Sequence, residues 1–306
     1  MNAQADPPWS WNLVADLHEM LSYPFMVNAF RAGTIVAIVA GVVGWFMVLR
    51  KQTFAGHTLA VSAFPGATAA TLLGVSATAG YFSFALAAAI VIAFASRPSR
   101  GHRGGINEES AVVGTVQAFV LACGFLFARL YPGFLNSVNA PLFGSSFAIT
   151  NTQVVTLGLV AVAVLAVLAT IGRPLLFSSI DPDVAAARGV GVRAQGFVFL
   201  VILGAAAAEA SQIAGALLVF SLLVMPAATA QRLTARPATS VTLAIVFGLL
   251  ATWGGLFLAY YQPYPLGFCI SSFSFGGFLL AHLFTAPRRR RPERPMAAAL
   301  PIGVSS

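Results

Sequence analysis

The chain has 306 residues, 58% of them hydrophobic and 8% charged, with a mean hydropathy of +0.85 and 25 phenylalanines. That balance excludes a water-soluble domain of this length and places the protein in a bilayer. The net charge of +8 does not point to nucleic acid, because no soluble basic domain is present to bind it.

Residues 1–24 carry Asp6, Asp16 and Glu19 where a secretory signal would be basic, so this segment is expected to stay attached. Trp9, Trp11, Leu13, Val14, Leu17, Met20 and Leu21 recur at helical spacing and predict an amphipathic stretch lying along the outer interface. Asp6, Asp16 and His18 are potential weak metal receivers there, with simple solvation the plainer reading. Apolar stretches follow at 26–49, 58–74, 78–96, 111–130, 153–171, 197–211, 213–230, 240–260 and 266–285. Each approaches the length of about 20 residues that crosses hydrocarbon as a helix. The expected fold is an all-α polytopic membrane protein, with about nine transmembrane helices in a domain running from 25 to 286. Gly33, Ala37 and Gly41 stand at four-residue steps in the first stretch and predict a close helix–helix approach. Cys123 and Cys269 are isolated, so neither a disulfide framework nor a thiolate metal site follows.

The basic residues test this layout. With the amino terminus outside, all but Arg31 and Arg129 of the 17 fall at inner ends of the stretches, as the positive-inside rule requires, and the carboxyl terminus lies inside. Residues 287–306, with Arg288 to Arg291 and Arg294, predict a basic, disordered cytoplasmic tail attracted to anionic lipid. Glu108 and Glu109 resemble first-turn helix charges. His102, outside the spans, and His282, in the final stretch, join no ligand constellation by spacing.

Residues 181–190 read as a short polar helix on the inner surface. Asp181 can cap it, Pro182 suits the first helical position and Asp183 places negative charge in the first turn; Val184 follows, and Arg188 and Gly189 close the helix before Val190. Between Arg193 and Arg232 the chain must enter the membrane and return within few residues, so shortened or broken helices are expected. The turn is expected near Ala208 to Gln212. Glu209 is the single acidic residue within the apolar stretches, and it is either a functional intramembrane carboxylate or a solvated turn residue. Pro226 either bends a helix or marks its end.

Several segments together resemble the ABC-3 family, the permease subunits of ATP-binding-cassette importers for zinc, manganese and iron. They are Tyr23-Pro24-Phe25-Met26, Gly41-Val42-Val43-Gly44, Val48-Leu49-Arg50-Lys51, Leu142-Phe143-Gly144-Ser145, Asp181 to Val190, Gly215-Ala216-Leu217-Leu218-Val219 and Leu223 to Ala230. The likeness spans nearly the whole chain. It implies a fold like that of type II importer permeases and an assembly of two permease copies, as a homodimer, with two ABC ATPase subunits and an extracytoplasmic metal-binding protein. It also implies that Asp181, Pro182, Asp183, Val184, Arg188, Gly189 and Val190 form the segment that couples to the ATPase. The chain has no phosphate-binding Gly-x-x-x-x-Gly-Lys-Ser/Thr loop, so ATP and magnesium belong to the partner and this chain is expected to be no enzyme and to hold no cofactor, the divalent metal being cargo. No Ser/His dyad, paired intramembrane carboxylates or HExxH argues for a membrane hydrolase.

One departure bears on the cargo. The family pattern has Gly-Asp at the entry to the second span, with His four residues after the Asp, on one helical face. Here Gly56 is followed by His57, and valine occupies position 61, so the pair is missing. The candidate path residues are His57, Ser62, Glu209, Ser211, Gln212, Pro226 and Thr229, with His57 and Glu209 the candidate metal ligands and the oxygen groups suited to a harder or weakly held cation. A siderophore- or cobalamin-type importer and a non-transporting scaffold are the alternatives.

Overall fold

The computed structural model describes residues 13–95, 105–131, 148–216 and 219–285. The expectations for Asp6, Trp9 and Trp11, for Arg97 to Arg103, for Leu142 to Ser145, for Leu217 and Leu218 and for the tail 287–306 lie outside those residues, as do the side chains of Leu13, Val14, Glu108 and Glu109.

Among the described residues the chain is helical: α1 (Leu13–Ser22), α2 (Pro24–Leu49), α3 (Thr53–Val61), α4 (Ala63–Leu73), α5 (Ala77–Ala95), α6 (Gly105–Leu130), α7 (Asn151–Ile180), α8 (Pro182–Ala187), α9 (Val192–Ala214), α10 (Val219–Leu233), α11 (Pro237–Tyr261) and α12 (Leu266–Thr285). Seven of these, α2, α5, α6, α7, α9, α11 and α12, are long and apolar enough to cross a membrane. The second apolar stretch is two short helices meeting at Ser62. Pro65 explains the break: it lacks the N–H that would bond the Val61 carbonyl, and its ring crowds that oxygen. The seventh stretch forms α10, whose 15 residues span only about 22 Å, short of the roughly 30 Å of hydrocarbon.

α2 and α9 form the centre. Most of their membrane-crossing length is buried, and α9 carries the run Ala205 to Ala208, whose small side chains admit neighbouring backbones. By contrast α6 and α7 present Phe119, Phe125, Val155, Leu159 and Val162 outward, an apolar surface suited to acyl chains. The small-residue steps of α2 meet α11 as expected. A Cβ on Gly41 would stand 2.9 Å from both the Cα and the nitrogen of Ile245, so backbone faces backbone. Gly41→Val is therefore expected to destabilise the protein by about 1–3 kcal/mol through overpacking, read as a lower melting temperature in detergent. An unchanged melting temperature would show that the contact can relax.

α1 corrects one expectation. Leu17 and Leu21 are exposed as an interfacial face requires, but Asp16 is 1% exposed and not solvated, because α1 docks on the end of α11, where Tyr261 Oη donates to the Asp16 carbonyl at 3.3 Å.

Candidate functional site

α7 is longer than a membrane crossing needs. A capping box starts it, with Gln153 N donating to Thr150 Oγ1 and Thr150 N donating to Gln153 Oε1. Its 30 residues then run about 45 Å, well beyond the roughly 30 Å of hydrocarbon, and α8 follows directly at its end.

α8 is built as its residues predict. Asp181 is the N-cap and accepts from the Val184 N–H at 3.0 Å, Pro182 opens the helix and Asp183 lies in its first turn. At the other end Val190 N donates to Ala185 O and Gly189 N to Ala186 O, both at 3.0 Å, the paired bonds of a Schellman cap. That cap requires the left-handed conformation at Gly189, whose φ is +81°. Val192 N then donates to Val190 O at 2.8 Å, and Ser178 Oγ donates to Gln195 Oε1 at 2.9 Å, joining the end of α7 to the start of α9. Ala185 is fully buried and anchors the turn, Val190 is half-buried, and Pro182, Asp183, Val184, Arg188 and Gly189 are exposed. The result is a capped hairpin tip on which Ile180 and Val184 are exposed along with Asp183 and Arg188. Exposed apolar side chains in company with charged ones suit a protein partner.

The path candidates fall into three places. The helix α9 continues unbroken through Ala208 to Gln212, and the chain turns only at Gly215 and Ala216, correcting the expected turn. Alanine-rich sequence favours helix, and burial of the polar side chains removes the competing pull of water. Glu209 is consequently 0% exposed, about 8 Å before the helix end, and neither carboxylate oxygen has a hydrogen-bond partner among the described residues. Gln212, one turn later, accepts from Thr78 Oγ1 at 3.0 Å and leaves Nε2 buried without a partner. Turning that amide over would let Nε2 donate to Thr78 and free Oε1 on the buried side. Ser211 lies about 200° from Glu209 around the helix and points toward α3, where Oγ is 3.4 Å from the Ala60 carbonyl. Glu209 and Ser211 therefore do not converge on one ion.

The second place is the α3–α4 junction. His57 rests edge-on against Phe220, ring centroids 5.1 Å apart, with Nδ1 unpartnered among the described residues. Ser62 is fully buried, and its hydroxyl donates to Leu59 O at 2.6 Å, which commits it to its own helix. Thr58, unnoticed in the sequence, donates to Gln117 Oε1 at 3.0 Å and ties α3 to α6. The third place is α10. Pro226 lies inside the helix and does not mark its end, and Thr229 Oγ1 donates back to Met225 O at 2.7 Å. Both line an apolar cavity of about 470 Å³ with Phe247, Leu250, Ser274 and Gly277, remote from metal-ligand chemistry. Among the described residues, no group of three or more His, Cys, Asp or Glu is placed to hold a metal.

Comparison with known proteins covers most of this architecture. The family model described as the ABC 3 transport family matches residues 22–285. The manganese transport system membrane protein MntC of Halalkalibacterium halodurans is 30% identical over 275 residues, 90% of this chain and 92% of its own. The manganese import system permease protein ScaB of Streptococcus parasanguinis is 29% identical, covering 90% of this chain and 96% of its own. Among solved structures, PsaBC from Streptococcus pneumoniae in complex with Fab superposes with a TM-score of 0.79 at 26% identity, over 91% of this chain and 98% of that one. The family model and these relatives span nearly the entire chain, so this multi-pass membrane permease belongs to the ABC 3 transport family.

Proposed function

We propose that this permease imports a divalent transition-metal cation, manganese ahead of zinc and zinc ahead of iron. It does so as one of two copies in a homodimer, driven by ABC ATPase subunits on the inner side and supplied by an extracytoplasmic metal-binding protein. The observation that carries the reading is the end-to-end similarity to permeases named for manganese transport. The donor chemistry supports manganese over zinc: among the described residues Glu209 holds a buried carboxylate with no hydrogen-bond partner, one turn before the buried amide of Gln212, and oxygen ligands suit the harder ion.

In this reading the ATPases bind nucleotide, approach one another and press on the tips formed by Asp181 to Val190. The stiff hairpin carries that displacement into α7 and α9, and α9 holds Glu209, so the path opens alternately to either side. ATP and magnesium stay on the partner subunit.

Uptake by vesicles containing the permease, its ATPase and its binding protein tests this. ATP-dependent accumulation of free manganese, exceeding zinc and exceeding siderophore-bound iron, is expected. Accumulation of the iron chelate alone would establish a chelate importer, and ATP hydrolysis with no metal uptake would establish a non-transporting scaffold.

A further inference from the structure

Arg50 marks the end of α2 and, by charge alone, reads as one more residue at the inner surface. Its contacts say more. Nη1 donates to Ser179 Oγ at 3.2 Å, two residues before the hairpin tip begins. The guanidinium carbon lies 5.3 Å from the centroid of the Phe199 ring on α9, within cation–π range. Nε donates to Gln52 Oε1 at 3.2 Å, and Gln52 N in turn bonds the Met47 carbonyl, closing a Schellman cap on α2 with Lys51 at φ +58°. One planar cation thus touches both arms of the α7–α8–α9 hairpin while its own backbone is pinned to α2.

The far side of α2 continues the connection. Five residues earlier Trp45 Nε1 donates to Ser240 Oγ on α11 at 2.8 Å, and Gln231 Nε2 on α10 donates to the Trp45 carbonyl at 2.7 Å. Trp45 and Ser240 are buried, so the bond between them has little competition from water. A displacement of the hairpin that keeps the Arg50 contacts must move the end of α2, and with it the inner ends of α10 and α11.

We propose that Arg50 is a positioning residue for transport: it clamps the coupling hairpin to α2 and so delivers the motion of α8 to α10 and α11. This rests on the reading of α8 as the ATPase-coupling segment. Lysine cannot reproduce the clamp, because it lacks the planar fork that stacks on Phe199 while donating sideways.

The test is the ratio of manganese uptake to ATP hydrolysis in vesicles containing the full transporter, with the amount of ATPase subunit retained on purification measured alongside. Arg50→Ala is expected to keep the ATPase subunit and to lower uptake per ATP roughly fivefold or more, in the range of coupling changes at residues between two sites. Arg50→Lys is expected to restore less than half of the loss. Ser179→Ala is expected to lower the ratio about twofold alone and to add little to Arg50→Ala, as contacting residues do. An unchanged ratio in Arg50→Ala overturns the proposal, and so does loss of the ATPase subunit, which would make Arg50 an assembly residue. Should Arg50→Ala fail to accumulate, Ser179→Ala and Arg50→Lys decide: a lowered ratio supports the clamp and a wild-type ratio overturns it. Gly189→Val, measured in parallel, separates the two readings. If that variant retains wild-type uptake, the coupling segment itself is wrong and the clamp falls with it; if it loses uptake while Arg50→Ala does not, only the clamp is wrong.

Discussion

Gly189→Val is expected to lower ATP-dependent metal uptake about tenfold or more, within the range of allosteric coupling energies, while leaving the melting temperature of the permease nearly unchanged. Gly189 holds φ +81° and nothing stands within 4 Å of where its Cβ would be, so the effect is conformational and not steric crowding. A β-branched residue in the left-handed region costs on the order of 1–2 kcal/mol. Avoiding that strain opens the two cap bonds to Ala185 and Ala186. The hairpin then frays where the account needs it stiff, whereas the membrane-embedded helices that set the melting temperature are untouched. Gly189→Asn should fall between glycine and valine, because asparagine tolerates this conformation better than most residues. Full uptake by the valine variant, measured in the same vesicles, would show that residues 181–190 are not the coupling segment.

Glu209→Gln is expected to separate transport from stability in the opposite way to an ordinary core substitution. A fully buried carboxylate with no partner on either oxygen among the described residues opposes folding when charged, and an amide of the same shape removes that charge. The melting temperature should therefore stay level or rise. Uptake should fall roughly 10- to 100-fold, the scale seen when a group that holds or orients a metal is removed. A stable variant with wild-type uptake would place Glu209 outside the path, and an unstable one would show it to be structural.

The parts of this molecule written in local chemistry were legible in the sequence. Asp181, Pro182, Asp183 and Gly189 specify the ends of α8 because capping depends on neighbours along the chain, and those ends appear where the residues put them. The Gly33, Ala37 and Gly41 steps identified a close approach, though not that α11 makes it. Features that depend on burial were misread. The polar cluster Glu209, Ser211 and Gln212 suggested a turn, yet within a packed bundle the surrounding alanines keep the helix intact to Ala214. The break at Ser62 follows from Pro65, a signal available in the sequence but masked by the uniform hydrophobicity of its stretch. Arg50 read as a topology marker because its partners Ser179 and Phe199 are distant in sequence, and only the fold brings them together. The same distance hid the hydrogen bond between Thr78 and Gln212.

The central claim is that the motor acts on the exposed tip at 181–190, and cross-linking reports on it most directly. In a permease whose Cys123 and Cys269 are replaced by alanine, Val184→Cys places a thiol on the exposed face of α8, and Tyr264→Cys places one on the exposed turn between α11 and α12 as a control. The account predicts that the Val184→Cys protein, assembled with its ATPase and still competent for uptake, forms a cross-link to the ATPase subunit whose yield changes with bound nucleotide, and that the Tyr264→Cys protein forms none. A cross-link at position 264 with none at 184, or a yield at 184 indifferent to nucleotide, would contradict it.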